Sequence, residues 1–159
     1  MLIAIAAVGK LKAGPERELF DRYLARAGAA GKQLGLTFAA REFPESRAAS
    51  PAARMTHEAE ALLAAVPQSA PLVALDERGS AIDSASFARR IAAWRDNGAG
   101  NVIFALGGAD GHGAALLAKA EFRLAFGAMT WPHQLVRIML AEQIYRAVTI
   151  LSGHPYHRA

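Results

Sequence analysis

NVIFALGGADGHG, residues 101–113, sets an apolar run directly against a glycine-rich loop. A short apolar run bounded by turn residues reads as a strand buried on both faces. Four glycines in the next seven residues predict a loop whose main chain can approach a ligand closely. The same kind of run recurs upstream as LIAIAAV (2–8), LGLTFAARE (34–42) and PLVALD (71–76). Between the runs the apolar spacing turns helical. Leu19, Phe20, Tyr23, Leu24 and Ala27 follow Pro15; Met55, Ala59, Leu62, Leu63 and Val66 follow Ser50-Pro51 to about Ala65; Phe87, Ile91 and Trp94 follow a cap at Asp83 or Ser84. Downstream come a short helix (AALLAKAE), a strand-like RLAFGAM (123–129), and a long helix opened by Thr130-Trp131-Pro132-His133. Strands alternating with helices through short loops predict an α/β sandwich with a mainly parallel sheet, in one domain over residues 1–159.

At 159 residues and 53% hydrophobic content, the chain can bury roughly two-thirds of its unfolded surface. It has no cysteine, which excludes a disulfide framework and a thiolate metal site and points to a reducing compartment. No charged region precedes the first apolar run, which therefore reads as a strand and not a signal segment. The longest apolar segment, 135–151, is broken by Arg137, Glu142 and Arg146, too many charges for a membrane span. A soluble, cytoplasmic protein with no membrane partner is the expectation. Net charge is +4 and the pI about 9.9, a tilt towards polyanionic partners. From Arg123 onward four arginines face one acid, Glu142, and three of the five histidines lie there.

Ligands of open α/β sheets bind beyond the carboxyl ends of strands, which directs attention to the loops after Asp76, Leu106 and Met129. The glycine loop lacks the Lys-Ser/Thr of a phosphate-binding P-loop and the spacing of a dinucleotide fingerprint. In the TWPH turn, Thr130 can cap the helix, Pro132 fits its first turn, and His133 lies at its positive end, where the neutral imidazole is favoured. Glu142 and Arg146 stand four apart and can pair. The chain ends in GHPYHRA (153–159), where two histidines, a tyrosine and an arginine crowd a terminus. His154 and His157 lack the partners a zinc site needs, so no metal is expected. There is no Gly-x-Ser-x-Gly elbow, and the candidate loops hold no acidic pair suited to glycosidic or two-metal chemistry.

Taken in order, AAVGK (6–10), VALDERG (73–79), FALGGADG (104–111), MTWPHQLVRIMLAEQIYRA (129–147) and HPYHR (154–158) resemble the RlmH-type SPOUT methyltransferases. These small bacterial enzymes methylate N3 of a pseudouridine in 23S ribosomal RNA with S-adenosylmethionine. The resemblance spans essentially the whole chain. It implies a Rossmann-like sheet with a C-terminal trefoil knot, a homodimer with the last helix at its interface, and an active site shared between subunits. It places cofactor contacts on Leu75, Gly107, Phe126, Gly127, Ala128, Met129, Thr130 and Trp131, with Ile103 and Gly108 beside them.

Methyl transfer to an imide nitrogen requires the nucleophile on the methyl axis and an acceptor for its proton. For the reaction that the resemblance implies, His157 is the candidate acceptor and Tyr156 a candidate to stack on or hydrogen-bond the base. Arg158 and Arg146 can supply charge to the anion or hold phosphate, while His133 and His154 can position the substrate. The competing class is a non-catalytic RNA- or ribosome-binding α/β module whose cationic C-terminal quarter merely contacts phosphates.

Overall fold

The computed structural model describes residues 1–157. Strand β1 (Leu2–Val8) is the apolar run LIAIAAV, and it pairs in parallel with β2 (Thr37–Phe43) on one side and β4 (Asn101–Leu106) on the other. β3 (Leu72–Ala81) pairs with β4 and with the edge strand β5 (Phe122–Ala125), again in parallel. The order is β2-β1-β4-β3-β5. Helices α1 (Pro15–Gly31), α3 (Ser84–Asp96) and α5 (His133–Leu151) cover one face; α2 (Pro51–Leu63) and α4 (Ala114–Lys119) cover the other. With helices on both faces, Val73, Ala74, Val102, Phe104 and Ala105 are wholly buried, which is why the central strands read as continuous apolar runs.

The expected α/β architecture with a mainly parallel sheet is present, and several boundaries move. Lys32–Leu34 is a 3-10 turn, so β2 starts at Thr37 and not at 34. α2 is capped by Ser50, whose Oγ accepts from the Ala53 amide, and stops at Leu63. Asp83 caps α3 by accepting from the Ser86 amide. The stretch after Asp76, expected as a loop, belongs to β3: residues 76–79 leave the ladder as a long bulge, and Ser80 and Ala81 rejoin β5. Such a bulge re-aims the side chains it carries. β5 is shorter than RLAFGAM implies. It ends at Ala125, because Gly127 has φ +98° and Gly127–Thr130 face solvent, so 126–132 is a loop. Thr130 does not cap α5; Pro132 precedes its first residue, and the Thr130 hydroxyl donates to Glu77 Oε2 at 3.3 Å.

α5 is apolar for a local reason. Ile138, Leu140, Ala141, Ile144, Tyr145, Ala147 and Val148 are buried between α1 and α3. Its apolar surplus thus goes into this chain's own core, and what stays uncovered lies at its start: Met129, Trp131 and Leu135. Arg137 is buried too, with Nη2 donating to the carbonyls of Val8 and Gly9 and Nη1 to Glu42. Arg17 reaches the same carboxylate at 2.9 Å. The first loop, β2 and α5 are thereby tied together at one edge of the sheet.

Candidate functional site

β3 leads to α3 on one face and β4 to α4 on the other, so the chain parts between their carboxyl ends and opens a crevice there. The resulting cavity is about 550 Å³, a size suited to a cofactor. Three segments wall it: the β3 end with its bulge, the glycine loop, and the 123–133 segment ahead of α5. Leu75, Gly107, Phe126, Gly127, Met129, Thr130 and Trp131 all line it, as does His133; Ala128 lies in the same loop but is not in the wall. Ile103 is buried in β4, and Gly108 lines the cavity.

The glycines here answer to sterics. A Cβ on Gly107 would sit 2.7 Å from the Gly111 carbonyl oxygen, and one on Gly108 would sit 2.5 Å from Glu58 Oε2. No side chain fits either position, so the strand end presents bare backbone to the cavity. The Gly111 amide donates to the Gly108 carbonyl at 3.0 Å, closing the turn. Arg54 on α2 grips it from outside, Nε and Nη2 donating to the two oxygens of Asp110 at 2.6 and 3.2 Å. Across the cavity, Trp131 Nε1 donates to the Phe126 carbonyl at 3.2 Å, pinning the loop that Gly127 turns.

Residues that pattern alone does not single out also meet here. His112 lies in the cavity wall, its Nε2–H donating to the Leu75 carbonyl at 3.0 Å. Its Nδ1 is buried without a partner. Burial lowers its pKa below the ordinary histidine value, so the ring is neutral. The bulge contributes Asp76, Glu77 and Arg78. The signal for His112 was present in the GGADGHG motif itself, next to the glycines that carried the reading.

The C-terminal residues assemble elsewhere. α5 has 19 residues, which at ~1.5 Å per residue sets its ends about 27 Å apart. Past its far end the chain turns back, and Tyr156 lies on the α1 side, its ring 4.7 Å from that of Tyr145 and 4.9 Å from the Arg146 guanidinium. The Tyr156 hydroxyl donates to Glu142 Oε1 at 3.1 Å, and Arg146 donates to the same oxygen, so the expected Glu142–Arg146 pair is present. Burial, reinforced by hydrogen bonding to Tyr23 and then by Glu142, pushes the Tyr156 phenol up to about 12. His157 has a buried Nδ1 with no partner among the described residues. His154 accepts at Nδ1 from the Tyr156 amide at 3.2 Å, a local turn contact. Arg158 lies outside the described residues. Within one chain, therefore, Glu142, Arg146 and Tyr156 form one cluster, with His157 next in sequence, and the cavity is another; none of these residues lines the cavity.

The class of protein that this parallel α/β sheet and its cavity belong to is given by comparison of the sequence with known families. The family model for predicted SPOUT methyltransferases matches residues 1–157, and the chain belongs to that family. It is 57% identical to the ribosomal RNA large subunit methyltransferase H of Bradyrhizobium diazoefficiens over 160 residues, covering 100% of both chains. It is 55% identical to the protein of that name from Nitrobacter hamburgensis over 159 residues, covering 99% of each. Among solved structures it is similar to a probable methylase family protein from Haemophilus influenzae Rd KW20, at 14% identity and a TM-score of 0.49, covering 99% of this chain and 70% of that one.

Proposed function

We propose that the chain, acting as one domain over residues 1–159, transfers a methyl group from S-adenosylmethionine to N3 of a pseudouridine in 23S ribosomal RNA. The observation that carries the reading is the cavity at the β3–β4 crevice, whose wall at Gly107 and Gly108 admits no side chain. That surface fits a cofactor whose adenine is read by main-chain donors and acceptors, and Leu75, Gly107 and the 126–131 loop would hold it. Family membership supports catalysis over a pure binding module. The names of the relatives support a large-subunit ribosomal RNA substrate, and with it a cytoplasmic location. Family membership likewise supports a C-terminal trefoil knot.

Bound in the cavity, the cofactor supplies the electrophilic methyl group. The protein then has to orient the imide nitrogen and hold its proton. In this proposal Tyr156 is not the proton acceptor: its phenol, pushed up to about 12, stays protonated near neutrality and serves to hydrogen-bond or stack on the base. His157, whose Nδ1 has no partner among the described residues, is the acceptor in this proposal, and Arg146 and Arg158 would supply charge to the anion or phosphate. The tail cluster lies apart from its own cavity, which supports a homodimer in which each tail serves the other subunit's pocket. The exposed Met129, Trp131 and Leu135 beside the cavity supply apolar surface for that contact.

The test is calorimetry with S-adenosylmethionine followed by methylation of purified large ribosomal subunits. Stoichiometric binding and label confined to one pseudouridine N3 are expected. No heat of binding would overturn the proposal.

A further inference from the structure

The sheet has a second crevice of the same kind. β1 leads to α1 on one face and β2 to α2 on the other, so the loops after these strands also part. Between them lies an open cleft of about 360 Å³ lined by Gly9, Lys10, Pro44, Glu45, Ser46 and Arg47. Lys10 and Arg47 are exposed on its two sides, and Lys12 is exposed on the same loop as Lys10. None of the three takes an ion-pair partner among the described residues. Glu45 is the one acid lining the cleft; it is exposed, with its Oε1 over Gly9 on the side of the buried Arg137, whose charge it favours, so the two flanking cations outnumber it.

The cleft is fixed relative to the cofactor cavity. The Ser46 amide donates to Glu58 Oε1 at 2.9 Å, and the other oxygen of that buried carboxylate lies against Gly108 of the glycine loop. Arg54, gripping Asp110 in the same loop, also donates to the Ala48 carbonyl at 3.1 Å. Two short bridges thus join the wall of one crevice to the wall of the other.

We infer that this cleft, with Lys10, Lys12 and Arg47, is the surface on which RNA phosphates dock, placing the target nucleotide in register with the neighbouring cavity. The inference rests on the ribosomal RNA reading above. Polyanion docking asks for unpaired cations on a concave surface close to the reactive site, and this carboxyl edge provides them. Lys32 and Lys119, equally exposed, lie at the opposite edge, after α1 and at the end of α4.

The test uses the full chain and purified large ribosomal subunits, with affinity measured across a salt series. The triple variant Lys10→Glu, Lys12→Glu, Arg47→Glu is expected to bind more than about tenfold more weakly, and its plot of log affinity against log salt to be shallower by about 2. The milder Lys10→Gln, Lys12→Gln, Arg47→Gln set should lose less in the same direction, and both sets should keep S-adenosylmethionine affinity within about twofold, since phosphate contacts act independently of that pocket. The pair Lys32→Glu, Lys119→Glu should bind like the parent. Unchanged ribosome affinity in the triple variants, an unchanged salt slope, or an equal loss in the opposite-edge pair would each overturn the inference. Absence of cofactor binding by the unsubstituted chain would instead sink the methyltransferase reading, a result scored separately from docking.

Discussion

The two ends of α5 do different kinds of work. At its start, His133 joins a cavity whose walls are complete within one chain: the glycine loop is closed on itself, gripped by Arg54 and faced by a loop pinned through Trp131. Towards its other end, Tyr156 and Arg146 converge on one carboxylate, Glu142, and neither lines that cavity. A preorganised backbone surface needs no partner to be ready. A cluster of donors needs something to act on, and Glu142, on which the cluster meets, stands nine residues along α5 from the cavity-lining His133, about 14 Å at ~1.5 Å per residue.

The contrast can be broken most severely at the cavity. Gly107→Val puts carbon where the Gly111 carbonyl oxygen lies 2.7 Å from the Cβ position. No measurable heat with S-adenosylmethionine is expected from a variant whose circular dichroism shows it folded. Normal affinity would remove the glycine loop from the pocket. Deleting residues 156–159 should do the reverse, leaving cofactor affinity within about twofold while methylation falls at least about a hundredfold, the scale of lost acid–base participation. Full activity after deletion would mean that the tail is only a chain end.

Smaller changes sharpen the same comparison. Glu142→Gln removes the charge on which Tyr156 and Arg146 meet. Methylation should drop about tenfold, the worth of one hydrogen bond to a charged group, with cofactor binding intact. The phenol, now at about 12, should titrate lower, as ultraviolet absorbance of tyrosinate would report against Tyr156→Phe. An unmoved titration would show that Glu142 does not hold the tail.

The smallest effect belongs to His112. Burial depresses its folded pKa below the ordinary 6.5, so in mild acid the unfolded chain takes up a proton that the folded chain resists. Its contribution to stability is fully present above that ordinary value and is lost as pH falls towards the depressed one. His112→Leu should therefore melt with a smaller difference between about pH 7.5 and pH 5.5 than the parent. An equal difference would show that the acid sensitivity arises elsewhere.

Much of this was legible in the sequence because parallel strands buried on both faces leave unbroken apolar runs, as LIAIAAV and NVIFAL do. The cavity was legible for a related reason: Gly107 and Gly108 are required by close approach, and they immediately follow a strand. The bulge at residues 76–79 was not, since a strand that leaves its ladder and rejoins it has the composition of a turn. The end of β5 was overrun because RLAFGAM keeps its apolar character past Ala125, where only the backbone of Gly127 marks the turn. The apolar length of α5 says nothing about an interface either way, since its packing between α1 and α3 uses most of it. Spacing along a chain could not separate the tail from the cavity, because their separation is set by how far back along α5 the chain returns, to Glu142, and on which side.

The central claim is that pocket and tail come from different copies, and mixing two inactive variants tests it. Gly107→Val subunits keep the tail and lose the pocket; subunits ending at residue 155 keep the pocket and lose the tail. Refolded together in equal amounts, half the dimers are mixed and each holds one complete site, so activity should return to about a quarter of the parent's. If the mixture stays as inactive as its components, tail and pocket must belong to the same chain.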